Sequence, residues 1–447
     1  MSHLKEIKNP LKPRNKSGPA KENLGSNRRW FLQGLTATGG VLMLPVPAIA
    51  QSARPRLVVI GGGSGGSAFV RAIQAQTSGV FDIIVVTEQK LYNAPFILNG
   101  IPQQKSGPCT TAAIDLVSAF ERKGIKVVVG RVESVDPDKK TISLSGNDTP
   151  LSYDALIAAP GVAFKWEAFG LEGTPDSAAI WTSQASCQIL LTLLQNVPKG
   201  GLFALVAPAG HNRCPPAVYE RACRAARWFK DFNKSAKILI VDEKDEYPMQ
   251  AMFENAYVDY YEDMIEWIPR DFHGGVKSID LKTGKIQTES DLFEPDIVNV
   301  IPPQKAPDFL TATGMAAADG YCSIRTPSMQ SAISEDIYVI GDAAAADDLS
   351  KSASSAVIEA RLAAVDIITR FSKTPPADKV DIADNCWTLV APDDAISLGG
   401  VYTATGSNFT ADERFMSTVE EGADGRKANA KIAQKWSSSI LKSLYGG

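Results

Sequence analysis

Histidine is scarce in this chain, and long apolar runs are missing. Only 3 of 447 residues are histidine. His3, His211 and His273 stand apart, with no ligand spacing around them that fits a metal site. No run of about 18 apolar residues occurs, so the sequence offers no transmembrane anchor. There is no Cys-x-x-Cys-His, so no c-type haem is attached to this chain. A charged fraction of 21% beside 44% hydrophobic residues excludes a mostly disordered polypeptide. Excess positive charge is confined to the first 50 positions. They hold 8 of the 46 basic and 2 of the 50 acidic residues, so they stand at +6 and the remainder at −10. An acidic body argues against nucleic acid or anionic membrane as a partner.

The basic segment is an address. Arg28-Arg29-Trp30-Phe31-Leu32 is followed by a short apolar stretch, Val41 to Pro47, and by Ala48-Ile49-Ala50. Positive region, apolar region and small-x-small end, in that order, make an export signal. The arginine pair gives it the twin-arginine form, read by a receptor and used for proteins exported folded. Residues 1–50 are therefore expected to be a leader, and the body a bacterial periplasmic protein that loads its cofactor before export.

The body opens on a nucleotide motif. Arg56 to Ile60 is a short β-branched run, and Gly61-Gly62-Gly63-Ser64-Gly65-Gly66 follows at once. Gly61, Gly63 and Gly66 fill the G-x-G-x-x-G frame: a tight turn, a backbone that approaches pyrophosphate, and a helix packed on its strand. The helix is expected from Ser67 to about Gln76, with free N–H groups at its start. A second strand, Phe81 to Thr87, ends in Glu88, placed to accept ribose hydroxyls. Two later strands end in turns, Tyr153 to Gly161 and Asp336 to Asp342. Both resemble the additional signatures of flavoproteins with two dinucleotide domains, in which the Gly-Asp carboxylate holds the ribityl and diphosphate region. A helix expected from about Ser352 to Phe371 would direct its positive end at the flavin pyrimidine.

A second strand–helix–strand unit spans Gly201 to Asp242, with the helix from Ala217 to Asn233. Its turn reads Ala207-Pro208-Ala209-Gly210-His211-Asn212-Arg213-Cys214-Pro215-Pro216. A single glycine remains, so no nicotinamide dinucleotide is expected here. The prolines suit a helix start. Cys214 would then lie near the N-cap beside Arg213, where a thiol pKa falls and the group becomes a nucleophile. Glu220, on the same helix, is placed to exchange protons. Cys223, deeper in that helix, reads as core. A stripe of Ile432, Trp436, Ile440 and Leu444 marks an amphipathic C-terminal helix, packed on this protein's own core or docked on a subunit.

Several segments together carry a family resemblance. They are Arg213-Cys214-Pro215-Pro216, Tyr219-Glu220-Arg221, Met264 to Trp267, Ile301-Pro302-Pro303-Gln304, Gly320-Tyr321-Cys322, Val339 to Ala343, Lys351-Ser352 and Leu389 to Pro392. The body resembles the flavoprotein subunit of flavocytochrome c sulfide dehydrogenase, related to sulfide:quinone reductases in the pyridine nucleotide-disulfide oxidoreductase superfamily. The resemblance implies sulfide oxidation at a redox disulfide beside FAD, with electrons leaving to a c-type cytochrome subunit. It implies that Cys214 is the first redox cysteine, Glu220 an active-site carboxylate and Trp436 a tryptophan near the flavin. Pro302, Pro303 and Gln304 would lie by the isoalloxazine. Two departures mark a divergent member. Residue 344, where the second redox cysteine is expected, is Ala344. The segment Leu91 to Phe96, where the family often tethers FAD, has no cysteine, so FAD is expected to be noncovalent. Cys109 or Cys322 is left open as a replacement partner, and six cysteines in an exported protein allow structural disulfides.

The expected fold is α/β, with two interleaved Rossmann-like dinucleotide-binding domains and a small C-terminal α+β domain. The FAD domain is assigned to 51–165 and 291–375, the degenerate nucleotide domain to 166–290 and the C-terminal domain to 376–447. Expected cofactor contacts are Gly61, Gly63, Ser64, Gly65, Gly66, Glu88, Val132, Ala159, Gly161, Pro303, Gly341, Asp342 and Lys351. Cys214, Glu220 and Trp436 are the expected catalytic residues, and no metal is expected. The expected activity is oxidation of sulfide or a related small sulfur compound. The alternative is a flavin-bearing paralogue or partner subunit that has lost sulfide chemistry, which Ala344 favours.

Overall fold

The computed structural model describes residues 54–98, 105, 113–171, 185–373, 380–406 and 408–446. The expected leader and Cys109 lie outside them. Strand β1 (Arg56–Ile60) is buried from Leu57 onward, as befits an apolar run covered on both faces. Helix α1 (Ser64–Gln76) returns to β2 (Asp82–Thr87), which lies parallel to β1 with Leu57 opposite Ile83. Strand β3 (Lys126–Val129) extends the sheet past β2, and β4 (Ala155–Ala158) pairs with the other side of β1. Between β3 and β4 the chain makes a three-stranded antiparallel sheet from Val132–Asp136, Thr141–Leu144 and Asn147–Ser152.

A second parallel sheet follows, from β5 (Leu202–Ala207), helix α2 (Ala217–Phe232), β6 (Lys237–Asp242), β7 (Ile265–Ile268) and β8 (Ile297–Val300), in the order β7-β6-β5-β8. The expected boundary at 290 falls ahead of β8. That strand pairs with β5, Phe203 opposite Ile297, because an apolar strand of this length does not reveal in sequence which sheet it will join.

The chain then rejoins the first sheet through β9 (Cys322–Arg325), β10 (Gln330–Ser331), β11 (Ile337–Val339) and β12 (Ala344–Ala345). The eight-stranded order is β12-β9-β10-β11-β4-β1-β2-β3. Ala158 of β4 pairs with Ile60 on one side and Val339 on the other. The turns that leave β1, β4 and β11 therefore emerge at one edge, the carboxyl edge where open α/β sheets bind ligands. Helix α3 (Ala353–Ser372) packs against α1. A last antiparallel sheet, β13 (Ala383–Ala391), β14 (Asp394–Thr405) and β15 (Asn408–Met416), precedes helix α4 (Ala423–Tyr445).

Two cores hold these layers. The first joins the large sheet to α1 and α3, with Leu444 and Tyr445 of α4 in it. The second surrounds α2, β5 and β6, and takes in Val390 and Ile396 of the C-terminal sheet. The apolar stripe of α4 packs inward only toward its end: Leu444 is 2% exposed and Ile432 44%. That end is also tied by hydrogen bonds. The Tyr445 hydroxyl donates to Gly62 O (3.0 Å), Lys123 Nζ to Leu444 O (2.6 Å) and Arg71 Nη1 to Ser443 O (2.9 Å). Among the described residues no helix is long and apolar enough to cross a membrane.

Candidate flavin site and thiol turn

The glycine turn divides its work. The Gly61 N–H donates to Val86 O (2.8 Å), and its φ is +94°. A Cβ on Gly61 would lie 2.2 Å from Ala159 O, and one on Gly66 would lie 2.0 Å from Gly61 O. These two shape the turn and do not line the cavity, whereas Gly63, Ser64 and Gly65 do. The helix begins at Ser64, ahead of the expected Ser67, and Gly66 lets its first turn press onto the strand. Glu88 lines the same cavity and is exposed. Tyr92, which the sequence did not single out, stands over this turn with its hydroxyl 3.2 Å from Ser64 Oγ.

Ala159, Gly161, Gly341, Asp342 and Lys351 line the same cavity. The cavity has a volume of about 1030 Å³, enough for a dinucleotide-sized ligand. The Gly341 N–H donates to the carboxylate of Glu359 on α3, which is 2% exposed. Burial pushes the Glu359 carboxyl up to about 8, against the pull of the Gly341 N–H and Lys351. Lys351 Nζ donates to Asp342 O (3.1 Å) and Ala344 O (2.6 Å) and sits 3.7 Å from the Tyr321 ring centroid. Burial lowers its pKa, while Asp342 and Glu359 oppose that. The Arg213 guanidinium is 4.0 Å from the Asp342 carboxylate. Besides Gly61 and Gly66, two more expected contacts fall outside the cavity lining. Val132 is 8% exposed in the first core, and Pro303 spends its carbonyl on the Lys165 N–H (2.8 Å). Its neighbour Gln304 accepts from the Arg213 N–H (2.8 Å), so this segment props the thiol turn.

Cys214, Glu220 and Trp436 share this cavity. Cys214 has φ +54° and precedes the helix, whose N-cap is Pro216. Its N–H donates to Lys351 O (2.9 Å), and its carbonyl accepts from the Ala217 N–H (2.9 Å). The expected lowering of its pKa is not what the structure shows. Burial pushes the thiol well up, Glu220, Cys386 and Asp342 push the same way, and Arg213 pulls it down by less than burial, Glu220 or Cys386 raises it. The reason is position: ahead of the N-cap the thiol gains little from the helix, yet it is enclosed. Glu220 Oε1 accepts from Arg224 Nε (2.9 Å) and Nη2 (2.6 Å) and from the Leu389 N–H (3.4 Å). Trp436 meets Phe96 edge-on at 5.2 Å and stands 6.4 Å from Trp387. Cys386 and Asp384, both on β13, also line the cavity. Asp384, Cys386, Thr388 and Val390 alternate along that strand, a period that could have placed them on one face from sequence.

The second nucleotide turn is closed by its own side chains. Asp242, the last residue of β6 and one place before the counterpart of Glu88, is 0% exposed. It accepts from Tyr219 OH (2.6 Å), Trp267 Nε1 (3.0 Å) and Lys244 Nζ (2.7 Å). Tyr219 stacks on Tyr247 at 3.7 Å and 14°. His211 is exposed at the cavity; His273 is buried, accepting the Gly275 N–H (3.1 Å) and facing Asp242 O (2.9 Å). Ala344 is 1% exposed and pairs by backbone with Cys322, itself fully buried. Cys187 is disulfide-bonded, while Cys214, Cys223, Cys322 and Cys386 are free thiols.

Fold and site together define an FAD-dependent flavoprotein oxidoreductase with one open and one degenerate dinucleotide fold. Family models make the assignment finer. Residues 55–196 match pyridine nucleotide-disulphide oxidoreductase. Residues 187–302 match the central region of the flavoprotein chain of sulfide dehydrogenase (flavocytochrome c), and residues 379–444 its flavin-binding region. These matches support a flavoprotein oxidoreductase of the sulfide dehydrogenase type. Among solved structures it is similar to sulfide:quinone oxidoreductase from Aquifex aeolicus, at 16% identity and TM-score 0.69, covering 88% of this chain and 91% of that one. A NAD-dependent persulfide reductase from A. fulgidus aligns at 17% identity and TM-score 0.58, covering 85% and 77%. Putidaredoxin reductase, solved in complex with putidaredoxin, aligns at 14% and 0.61, covering 85% and 94%. At these identities the likeness is one of fold.

The residues present fit FAD. The Gly63–Gly65 backbone would receive the pyrophosphate, Glu88 the adenosine ribose, Asp342 the ribityl and diphosphate region, and the start of α3 the pyrimidine. Leu91 to Phe96 supplies no cysteine, consistent with noncovalent binding.

Proposed function

We propose that this protein oxidises sulfide or a related small sulfur compound in the periplasm and passes the electrons to a separate c-type cytochrome. The observation that carries the reading is Cys214 in one cavity with Asp342, Glu220 and Trp436. Bound FAD would supply the two-electron acceptor. The Gln304 side chain and the Lys351 carbonyl fix the backbone of the thiol turn, so Cys214 is held and need not be ordered on binding. Glu220, ion-paired to Arg224, is the carboxylate facing the thiol and the group to take its proton. The disulfide at Cys187 suits an oxidising compartment, as the twin-arginine leader does. The acidic body suits a basic electron carrier.

The test is anaerobic addition of sulfide to the mature holoprotein, following flavin absorbance with and without a c-type cytochrome. Bleaching by sulfide and its reversal by ferricytochrome are expected, with Cys214→Ser slowing bleaching roughly 100-fold or more. A wild-type flavin that sulfide never bleaches would leave the second reading, a paralogue without sulfide chemistry. That reading rests on the buried Ala344 in place of the second cysteine.

A further inference from the structure

The loss of a cysteine at 344 leaves Cys214 without its expected partner, but a second free thiol faces the same cavity. Cys386 comes from β13, in the C-terminal sheet, and its strand face carries Asp384 two residues before it. Asp384 Oδ2 accepts from Ser350 Oγ (2.9 Å) and Ser355 Oγ (3.1 Å), which pins that face onto the segment 350–355. The hydroxyls of Ser352 and Ser350 lie near enough to the Cys386 thiol to lower its pKa. The Cys214 N–H is bonded to the carbonyl of Lys351, between those two serines. Both cysteines thus abut one three-residue segment. The helix that follows Cys214 is also joined directly to the strand that carries Cys386, since the Leu389 N–H of β13 donates to Glu220 of α2 (3.4 Å).

We propose that Cys214 and Cys386 are a reversible dithiol–disulfide pair beside the flavin, with Cys386 taking the partner role that Ala344 cannot. This rests on the reading of Cys214 as the reactive thiol and adds the residue it pairs with. Closing the pair forms one S–S bond and releases two protons and two electrons to a two-electron acceptor, either oxidised flavin or an added azo oxidant such as diamide, which is reduced to its hydrazine. Opening the pair by hydrosulfide needs no further oxidant. HS⁻ attacks the Cys214 sulfur, Cys214 becomes a persulfide, and Cys386 departs as thiolate. The direction of opening follows from the surroundings. Burial and Asp384 raise the Cys386 thiol to about 11, but the hydroxyls of Ser352 and Ser350 pull it down, whereas the Cys214 thiol is raised further by burial beside Glu220. The more acidic thiol is the better leaving group.

The experiment maps disulfides in the anaerobic holoprotein, without sulfide, after one equivalent of diamide. Non-reducing digestion and mass spectrometry should show the Cys214 peptide joined to the Cys386 peptide, with a loss of two alkylatable thiols per chain. Cys386→Ser and Cys386→Ala should each abolish that link, and Cys322→Ala should keep it. The pair is overturned if Cys214 links to Cys322. It is equally overturned if Cys214 is oxidised while Cys386 stays fully alkylatable. The two readings fail separately. A link without bleaching by sulfide upholds the pair and defeats the sulfide substrate. Bleaching without a link does the reverse.

Discussion

The two strand–turn–helix units differ in where their polar groups are spent. In the first, Gly61 to Gly63 lead straight into α1, Ser64 and Gly65 line open space, and the acid at the end of the second strand is exposed. In the second, residues 208–216 separate strand from helix, and Pro215 and Pro216 bring no N–H to the helix mouth. The Ala217 N–H is already bonded to Cys214 O (2.9 Å), and Asp242 is saturated by Tyr219, Trp267 and Lys244. One topology therefore keeps a nucleotide's binding partners free, while the other has converted them into internal hydrogen bonds and set a thiol at the vacated turn. What separates the two turns is side-chain chemistry at a handful of positions, since the strand pairing is parallel in both.

The largest break in this comparison should come from Gly61→Ala. The new Cβ meets Ala159 O at 2.2 Å on a left-handed backbone, so the turn that receives the cofactor must move. Isolated protein should lose nearly all its FAD, read as the ratio of 450 to 280 nm absorbance, and retention of full flavin would contradict the role given to the turn. The next effect concerns the thiol. Because burial raises the Cys214 pKa, the thiol is protonated near neutral pH, and its thiolate fraction climbs as pH rises. Alkylation of Cys214 by iodoacetamide should quicken about tenfold per pH unit between roughly pH 7 and 9. A plateau below pH 8 would restore the low-pKa thiol expected from sequence. The smallest effect on the flavin should come from Asp242→Asn. Breaking its buried ion pair with Lys244 costs roughly 2–4 kcal/mol in urea unfolding, with FAD content unchanged. Millimolar NADH should leave the flavin oxidised in wild type and in this variant alike, which separates a structural acid from a ribose-binding one.

Much of this was legible in the sequence because it is local. The β-branched runs ending in glycine, the G-x-G-x-x-G frame and the loss of that frame at Ala207 to Pro216 are each read within a dozen residues. What escaped depends on distant elements meeting. Cys386 is one cysteine in a strand until Asp384 and the serines of residues 350–355 place it beside Cys214. Tyr92 is a loop aromatic until it stands over Ser64. The Cys214 pKa was misjudged because proximity to a helix start is visible in sequence, whereas enclosure by Glu220 and β13 is not. The stripe on α4 was seen as a whole, but only its end reaches the core, since a period of four fixes a face and says nothing of what covers it.

The hydrogen bond from Tyr445 to the Gly62 carbonyl spans 383 positions. A ribosome delivers the glycine turn early and the tyrosine long afterwards. The early glycine turn therefore gains this hydrogen bond only once α4 has been made and docked. Contacts of such separation are slow to find. The far end of α4 is accordingly a clasp on the glycine turn that closes only after the last helix of the chain has been made.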